Sequence, residues 1–346
     1  ALSMLMGSAH AGVSADQAAK LGTELTPVGA VKEAQGNIPA WTGGLAVDAA
    51  SVDKNGRLGN PFAGDKPEFV ITAANYKDYA ANLTDGQKAM FEKYPDTYRM
   101  PVYKTVRSAA YPQEVYDETK KNAENTSLLN DGNGIANFTF GVPFPFPQTG
   151  VEVIWNHITR YRGGSVSRII GQVTPQVNGD YTVVRFKDEF TFRNNLVDFQ
   201  ADKDDNVLFY FKQDVLSPAR LAGNVLLVHE TLDQVKEPRK AWVYNAGQRR
   251  VRRAPQVAYD GPGTASDGLR TADNFDMFNG SPDRYEWKLE GKQEVYIPYN
   301  SYQLKDTSLK YDDIVKAGHI NQDLTRYELH RVWKVTATLK DGQRHV

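Results

Sequence analysis

Four arginines in five positions are the densest charge in the chain: Arg249, Arg250, Arg252 and Arg253, in the run QRRVRRAP. On a strand, Arg250 and Arg252 share one face, while Arg249 and Arg253 share the other with Val251. Planar guanidiniums at that spacing can grip a phosphate or carboxylate head group. A solvated sheet face paired with acids is the competing reading. Asp188 interrupts an otherwise apolar alternation, so it lies near a cavity mouth, pairs with an arginine, or is turned to solvent by a bulge. Asp202, Asp204 and Asp205 crowd together in ADKDDN. That run lacks the glycine and closing glutamate of a calcium loop, and a charged turn is the default. The histidines are His10, His157, His229, His319, His330 and His345, and no pair has short metal-ligand spacing. His157 and His229 read first as satisfied structural groups. The chain has no G-x-S-x-G elbow, phosphate-binding P-loop or H-E-x-x-H helix. No catalytic residue, metal ligand or cofactor is expected.

Charge and composition narrow the classes further. The 346 residues carry 41 basic and 42 acidic side chains, a net charge of -1, which gives no general electrostatic case for nucleic acid. Hydrophobic residues at 40% and aromatics at 11% suffice for a packed core. There is no cysteine, which excludes disulfides, thiolate metal sites and cysteine lipidation within this segment. A mean hydropathy of -0.54, without a long apolar run, excludes a spanning helix. The opening ALSMLMGSAHA joins an apolar stretch to Ala9-His10-Ala11, an A-x-A cleavage pattern. Residues 1–11 therefore read as a signal-peptide remnant, with an apolar first helix as the alternative. The expected location is the periplasm, reached by secretion across the inner membrane.

The elements that must position these residues fall into two stretches. Residues 12–150 read as an N-terminal arm and helices packing on the body. Ser14 caps a short helix, and a Gly- and Pro-rich arm follows with Trp41 and Phe62 as anchors. Thr72 caps a helix containing Tyr76 and Tyr79, Thr84 caps another through Met90 and Phe91, and Pro112 opens a third. Val142–Pro147 is an extended crossing that packs Phe144 and Phe146. In residues 151–346, Val151, Ile154, Trp155, Ile158 and Tyr161 have helical spacing, so a helix ended by Gly163-Gly164 plugs or lines a sheet. The period then changes to two. Thr182, Val184, Phe186, Phe190 and Phe192 form one face, and Val207, Phe209, Phe211 and Val215 repeat it. Further strands are read at 166–173, 225–232, 241–244, 249–253, 285–289, 294–299 and 327–340, with Glu290-Gly291 as a hairpin turn. Asp341-Gly342 is a turn signal after the last, and the natural chain is expected to continue. The absence of a βαβ rhythm leaves an α+β fold: a large curved antiparallel β-sheet, an unclosed barrel, packed on helices. Its aromatic face must be covered, by helices alone or by helices plus a bound apolar ligand.

Four segments together resemble a known family: the exported start, FPFPQTG followed by EVIWNHITRYRGG, KAWVYNAGQRRVRRAP, and RVWKVTATLKDGQRHV. They look like the DUF1329 family of Gram-negative exported proteins, over residues 12–346. The family is in turn similar to the LolA/LolB-like lipoprotein carriers and receptors, whose unclosed barrel wraps helices and leaves a cavity for acyl chains. Here that wider likeness rests on Trp242-Val243-Tyr244 followed by the basic strand. The long N-terminal part departs from the carrier pattern. The resemblance implies no catalytic residues. It implies a periplasmic binding or carrier protein for a lipid or other hydrophobic molecule, serving an envelope transporter or outer-membrane protein. The residues expected to line the ligand are Trp155, Phe186, Phe190, Phe209, Phe211, Trp242 and Tyr244, with Arg250 and Arg252 at its head group. A ligand-free scaffold and a lipid- or cell-wall-acting enzyme, built around Asp188 or His229, are the other two readings.

Overall fold

The computed structural model describes residues 12–45, 58–200, 203, 205–254 and 260–345. Residues 1–11, where a signal-peptide remnant is expected, and Asp202 and Asp204 lie outside them. Among the described residues there are twelve strands: β1 (Phe69–Thr72), β2 (Arg99–Val102), β3 (Ser127–Leu129), β4 (Gly134–Ala136), β5 (Ser165–Pro175) and β6 (Tyr181–Phe192), then β7 (Val207–Ser217), β8 (Val225–Thr231), β9 (Lys240–Asn245), β10 (Arg250–Arg253), β11 (Tyr285–Pro298) and β12 (Tyr327–Leu339). Five α-helices accompany them: α1 (Ala15–Ala18), α2 (Asp85–Lys93), α3 (Gln113–Asn125), α4 (Gly150–Ile158) and α5 (Tyr311–Ile314).

This is the α+β architecture with a large, unclosed antiparallel sheet against helices. The strands do not form one sheet, however. β5 to β10 make an open six-stranded sheet in the order β10-β9-β8-β7-β6-β5, antiparallel throughout. β11 and β12 join β1 and β2 in a four-stranded sheet, in which β12 meets β2 in parallel. The chain accordingly divides into two units, discontinuous in sequence rather than split at residue 150. One takes its described residues from Ala1–Ala30, Pro112–Leu289 and Val335–Val346, the other from Val31–Tyr111 and Glu290–Lys334.

In the second unit, Ile71, Phe91, Met100, Val102, Tyr327 and Leu329 form a buried core. Thr84 caps α2 with a capping box closed by Gln87, as its spacing predicts. Thr72 instead ends β1, and Tyr76 and Tyr79 lie on a 3-10 turn, because Asn75 takes the Thr72 amide at 2.7 Å. The turn expected at Glu290-Gly291 is also absent. β11 runs straight through it, with Gly291 at φ 105°, where a side chain would strain the backbone.

In the first unit, Ser14 caps α1 and Pro112 precedes α3, as their residue types require. α4 is shorter than its apolar spacing suggests, since Thr159 ends it and Tyr161 lies beyond. Its start is fixed by Thr149, whose hydroxyl accepts the Glu152 amide while the Glu152 carboxylate accepts the amides of Thr149 (3.0 Å) and Gln148 (2.5 Å). Gly150 stands there because a Cβ would come within 2.8 Å of the Trp287 backbone. Trp155 is fully buried among Ile135, Phe144, Phe192 and Leu208, and its indole donates to the Gly132 carbonyl at 2.9 Å. Val142–Pro147 is non-strand chain, with Phe144 held by paired hydrogen bonds to Asn156. Truncating Trp155 to alanine should lower stability by about 3–5 kcal/mol, the usual cost of deleting a buried large aromatic. Urea unfolding followed by circular dichroism checks this, and a loss under about 1 kcal/mol would show the site free to collapse.

Candidate functional site

Registers across the six-stranded sheet decide which side chains share a face. Val166, Arg168 and Ile170 of β5 stand opposite Phe190, Asp188 and Phe186 of β6. Phe190, Asp188 and Phe186 stand opposite Phe211, Gln213 and Val215 of β7. Phe211 and Gln213 stand opposite Val228 and Leu226 of β8, which in turn face Ala241 and Val243 of β9. Directly opposed residues of an antiparallel sheet point the same way, so these define one inner face.

On that face lies a cavity of about 300 Å³. The sheet contributes Phe190, Phe209, Phe211, Leu226 and Val228, and Ile158 comes from the last turn of α4. The far wall is the segment 262–279, with Ala272, Phe275 and Phe278. Phe190, Phe209 and Phe192 pack ring against ring, with centroids 4.6 to 5.8 Å apart. Phe278 is held edge-on by Trp287 at 5.0 Å.

Charged groups break this apolar lining, and most are paired. Asp188 is 1% exposed; no bulge turns it outward. It accepts from Arg168 at 3.0 Å and from Gln213 at 2.9 Å. Glu230 and Arg239 form a second buried pair, with Nε to Oε2 at 2.6 Å, and Arg239 also donates to Asn279. Asp276 is shared between Arg160 at 2.5 Å and Arg162 at 3.0 Å. Burial pushes the Asp276 carboxyl up, but the bond from Arg160 and the charges of both arginines outweigh it and hold it below its ordinary value. Burial and repulsion from Arg160 bring the Arg162 guanidinium down to about 10. Its Nε is buried without a hydrogen-bond partner among the described residues, while its charge lies 5.4 Å over Phe190.

The expected binding residues therefore separate. Phe190, Phe209 and Phe211 line the cavity. Phe186 shares their face but is sealed in a neighbouring core with Val184 and Val215, and Trp155 is sealed behind α4. Trp242 and Tyr244 face the other way: Trp242 opposes Leu227 and packs on His229 at 4.8 Å. Arg250 and Arg252 point to the cavity side, since Arg252 opposes Val243, but they lie exposed on edge strand β10 and do not line the cavity. Arg249 sits in the turn before it at φ 51°. Asp188 and His229 are on opposite faces of the sheet and cannot converge. Glu230 went unrecognised although it has the parity of Leu226 and Val228, the same signal that exposes Asp188. Arg162, Arg239 and Arg270 lie outside the strands, where no period announces them.

A larger cavity, about 520 Å³, occurs in the other unit beside Phe62, Tyr103 and Arg326. Arg326 is already sandwiched between those two rings at 4.7 Å and paired with Asp65 and Glu328. Its chemistry is satisfied from within, so the aromatic cavity of the six-stranded sheet is the better candidate site. Among the described residues no group of histidine and acidic side chains could hold a metal ion, and no helix is long and apolar enough to cross a membrane.

An open antiparallel sheet, capped by a helix and a looped segment over an aromatic cavity, defines an α+β protein with a ligand-sized site. The chain belongs to the DUF1329 family, described as a protein family of unknown function, whose profile matches residues 70–346. An uncharacterized protein of Pseudomonas aeruginosa is 67% identical over 348 residues, spanning 100% of this chain and 76% of that protein. Among solved structures, a DUF1329 family protein from Desulfovibrio piger aligns at 20% identity and a TM-score of 0.28, over 38% of this chain and 48% of that one. A domain from Vibrio parahaemolyticus, described as an outer membrane lipoprotein-sorting protein, aligns at 14% identity and a TM-score of 0.30, over 42% of this chain and 54% of that one.

His157 gives the wall beside the cavity a pH dependence. Its Nε2 lies 2.8 Å from the Asp276 carbonyl, and burial, aided by Arg160, holds the imidazole below its ordinary 6.5. The unfolded chain takes up this proton first, so stability is lost as pH falls from about 6.5 through the folded value. Melting temperature should decline over that range, and less steeply in His157→Gln, whose amide can keep the bond to Asp276. Equal slopes for the two proteins would assign the decline elsewhere, His229 being held down by burial as well.

Proposed function

We propose that this protein binds a small hydrophobic molecule in the cavity of its six-stranded sheet and acts as a periplasmic carrier without chemistry. The observation that carries the reading is the cavity on the inner face: Phe190, Phe209, Phe211, Leu226 and Val228 surround about 300 Å³. That volume is at the lower end of ligand sites. A cavity of about 150 Å³ takes up benzene, so this one encloses roughly a dozen heavy atoms. Micromolar affinity then needs about -0.7 kcal/mol per atom, within the range small ligands reach. The periplasmic setting rests on the A-x-A pattern at Ala9–Ala11. An envelope transporter or outer-membrane protein is the partner such a carrier would serve.

One observation favours the scaffold reading in its place. β5 is an eleven-residue edge strand with Ile169 54% exposed, a surface that can accept a strand from another protein. The two readings differ in what blocks them. The neutral fluorophore N-phenylnaphthylamine should bind the full chain saturably. Val166→Trp, which projects a bulky ring from β5 into the cavity, should abolish that binding while leaving the circular dichroism unchanged. An absence of saturable binding to the wild-type protein would refute the carrier reading and leave the edge-strand one.

A further inference from the structure

The charges around the cavity do not cancel. Arg168 is matched by Asp188 and Arg239 by Glu230, but Arg160 and Arg162 share the single carboxylate of Asp276. Arg270 has no carboxylate partner among the described residues. Its Nη1 donates to the Thr271 carbonyl at 3.3 Å and its Nη2 to Gln172 Oε1 at 3.2 Å, both long contacts with neutral acceptors. A guanidinium offers five donors, so most of its capacity is unused. Burial pulls it below its ordinary value with no charged neighbour to restore it.

This cation is placed by construction. Residues 261–272 close on themselves: the Gly263 amide donates to the Arg270 carbonyl and the Ala272 amide to the Gly261 carbonyl, each at 2.8 Å. The Ser266 hydroxyl lies within hydrogen-bond reach of the carbonyls of Gly263 and Arg270. Gln172 of β5 ties the loop to the sheet through the carbonyls of Thr264 (3.0 Å) and Ala265 (2.6 Å). The guanidinium lies 5.4 Å over Phe275 and flat against Gly263, where a Cβ would stand 2.7 Å from its central carbon. A partly buried charge without a counter-ion keeps part of its desolvation cost until a counter-charge arrives.

From this arrangement we infer that the cavity takes an anionic amphiphile with one medium-length chain, its head group on Arg270 and its hydrocarbon among Phe190, Phe209, Phe211, Leu226 and Val228. The inference rests on the cavity being a ligand site. Arg162, which lines the same cavity, adds a second cation near the head group. The volume excludes enclosing several acyl chains at once. The exposed arginines of β10 are not required.

The test compares decanoate, with twelve heavy atoms, against decanol and decyltrimethylammonium as competitors of N-phenylnaphthylamine on the full chain near neutral pH. Decanoate should bind at least about tenfold tighter than decanol, the change a single charge-assisted contact can supply. The ammonium should bind more weakly than either. Arg270→Gln should bring decanoate to the level of decanol. Gly263→Ala, which pushes the guanidinium out of place, should lose part of the preference, and Arg250→Gln with Arg252→Gln none of it. Equal binding of decanoate and decanol to the wild-type protein, or a preference that survives Arg270→Gln, would overturn the inference while the carrier reading stands. A loss confined to the β10 double variant would overturn it too, and failure of the fluorophore itself to bind sinks both.

Discussion

An open antiparallel sheet with an aromatic face has to cover that face, and this sheet is covered only in part. α4 is nine residues long and seals the Phe192–Leu208 end through Trp155. The segment 262–279 approaches from another side with Phe275 and Phe278. Between them Phe190 and Phe211 remain only partly buried, beside the buried Phe209. Each partly buried aromatic forfeits transfer free energy at about 25 cal/mol per Å² left in water. The gap therefore costs stability in the empty protein, and an apolar ligand recovers that cost on binding.

The same face carries buried charge, which an indifferent core would exclude. Replacing a buried ion pair by apolar residues is often neutral or stabilising, so Arg168–Asp188 and Arg239–Glu230 are poor stability devices in themselves. Their geometric effect is clearer. Asp188 ties β5 to β6 and β7 through Arg168 and Gln213, and Arg239 holds Asn279 of the covering segment to Glu230 of β8. The paired charges thus fix the walls and leave the aromatic floor apolar. What stays uncompensated, Arg270 and half of the Arg160–Arg162 pair, is the part of the charge that can act on a ligand.

Much of the fold was legible because period-2 alternation is strong in β6, β7 and β8, and Phe190, Phe209 and Phe211 could be put on one face from it. Thr84 and Ser14 announced their caps equally well. Strand register is different: nothing local states that Trp242 opposes Leu227 instead of Val228, so Trp242 and Tyr244 were expected on the wrong face. The pairing of β2 with β12 joins residues more than two hundred positions apart and leaves no local signal. Arg162, Arg239 and Arg270 escaped for a third reason. Arginine is common in loops, and only the closed 261–272 loop and the cavity wall turn three ordinary surface residues into a charged lining. The dense run at Arg249–Arg253 was visible for the opposite reason, and strand β10 is exposed because it is an edge.

The central claim is that the cavity on the inner face is a ligand site with a cationic end. Diffraction from crystals grown with ω-bromodecanoate tests it most directly through the anomalous signal of bromine. The account predicts bromine among Phe190, Phe209, Phe211 and Leu226, with the carboxylate against Arg270. Bromine absent from that cavity, or a chain lying reversed with its carboxylate away from Arg270, would contradict it.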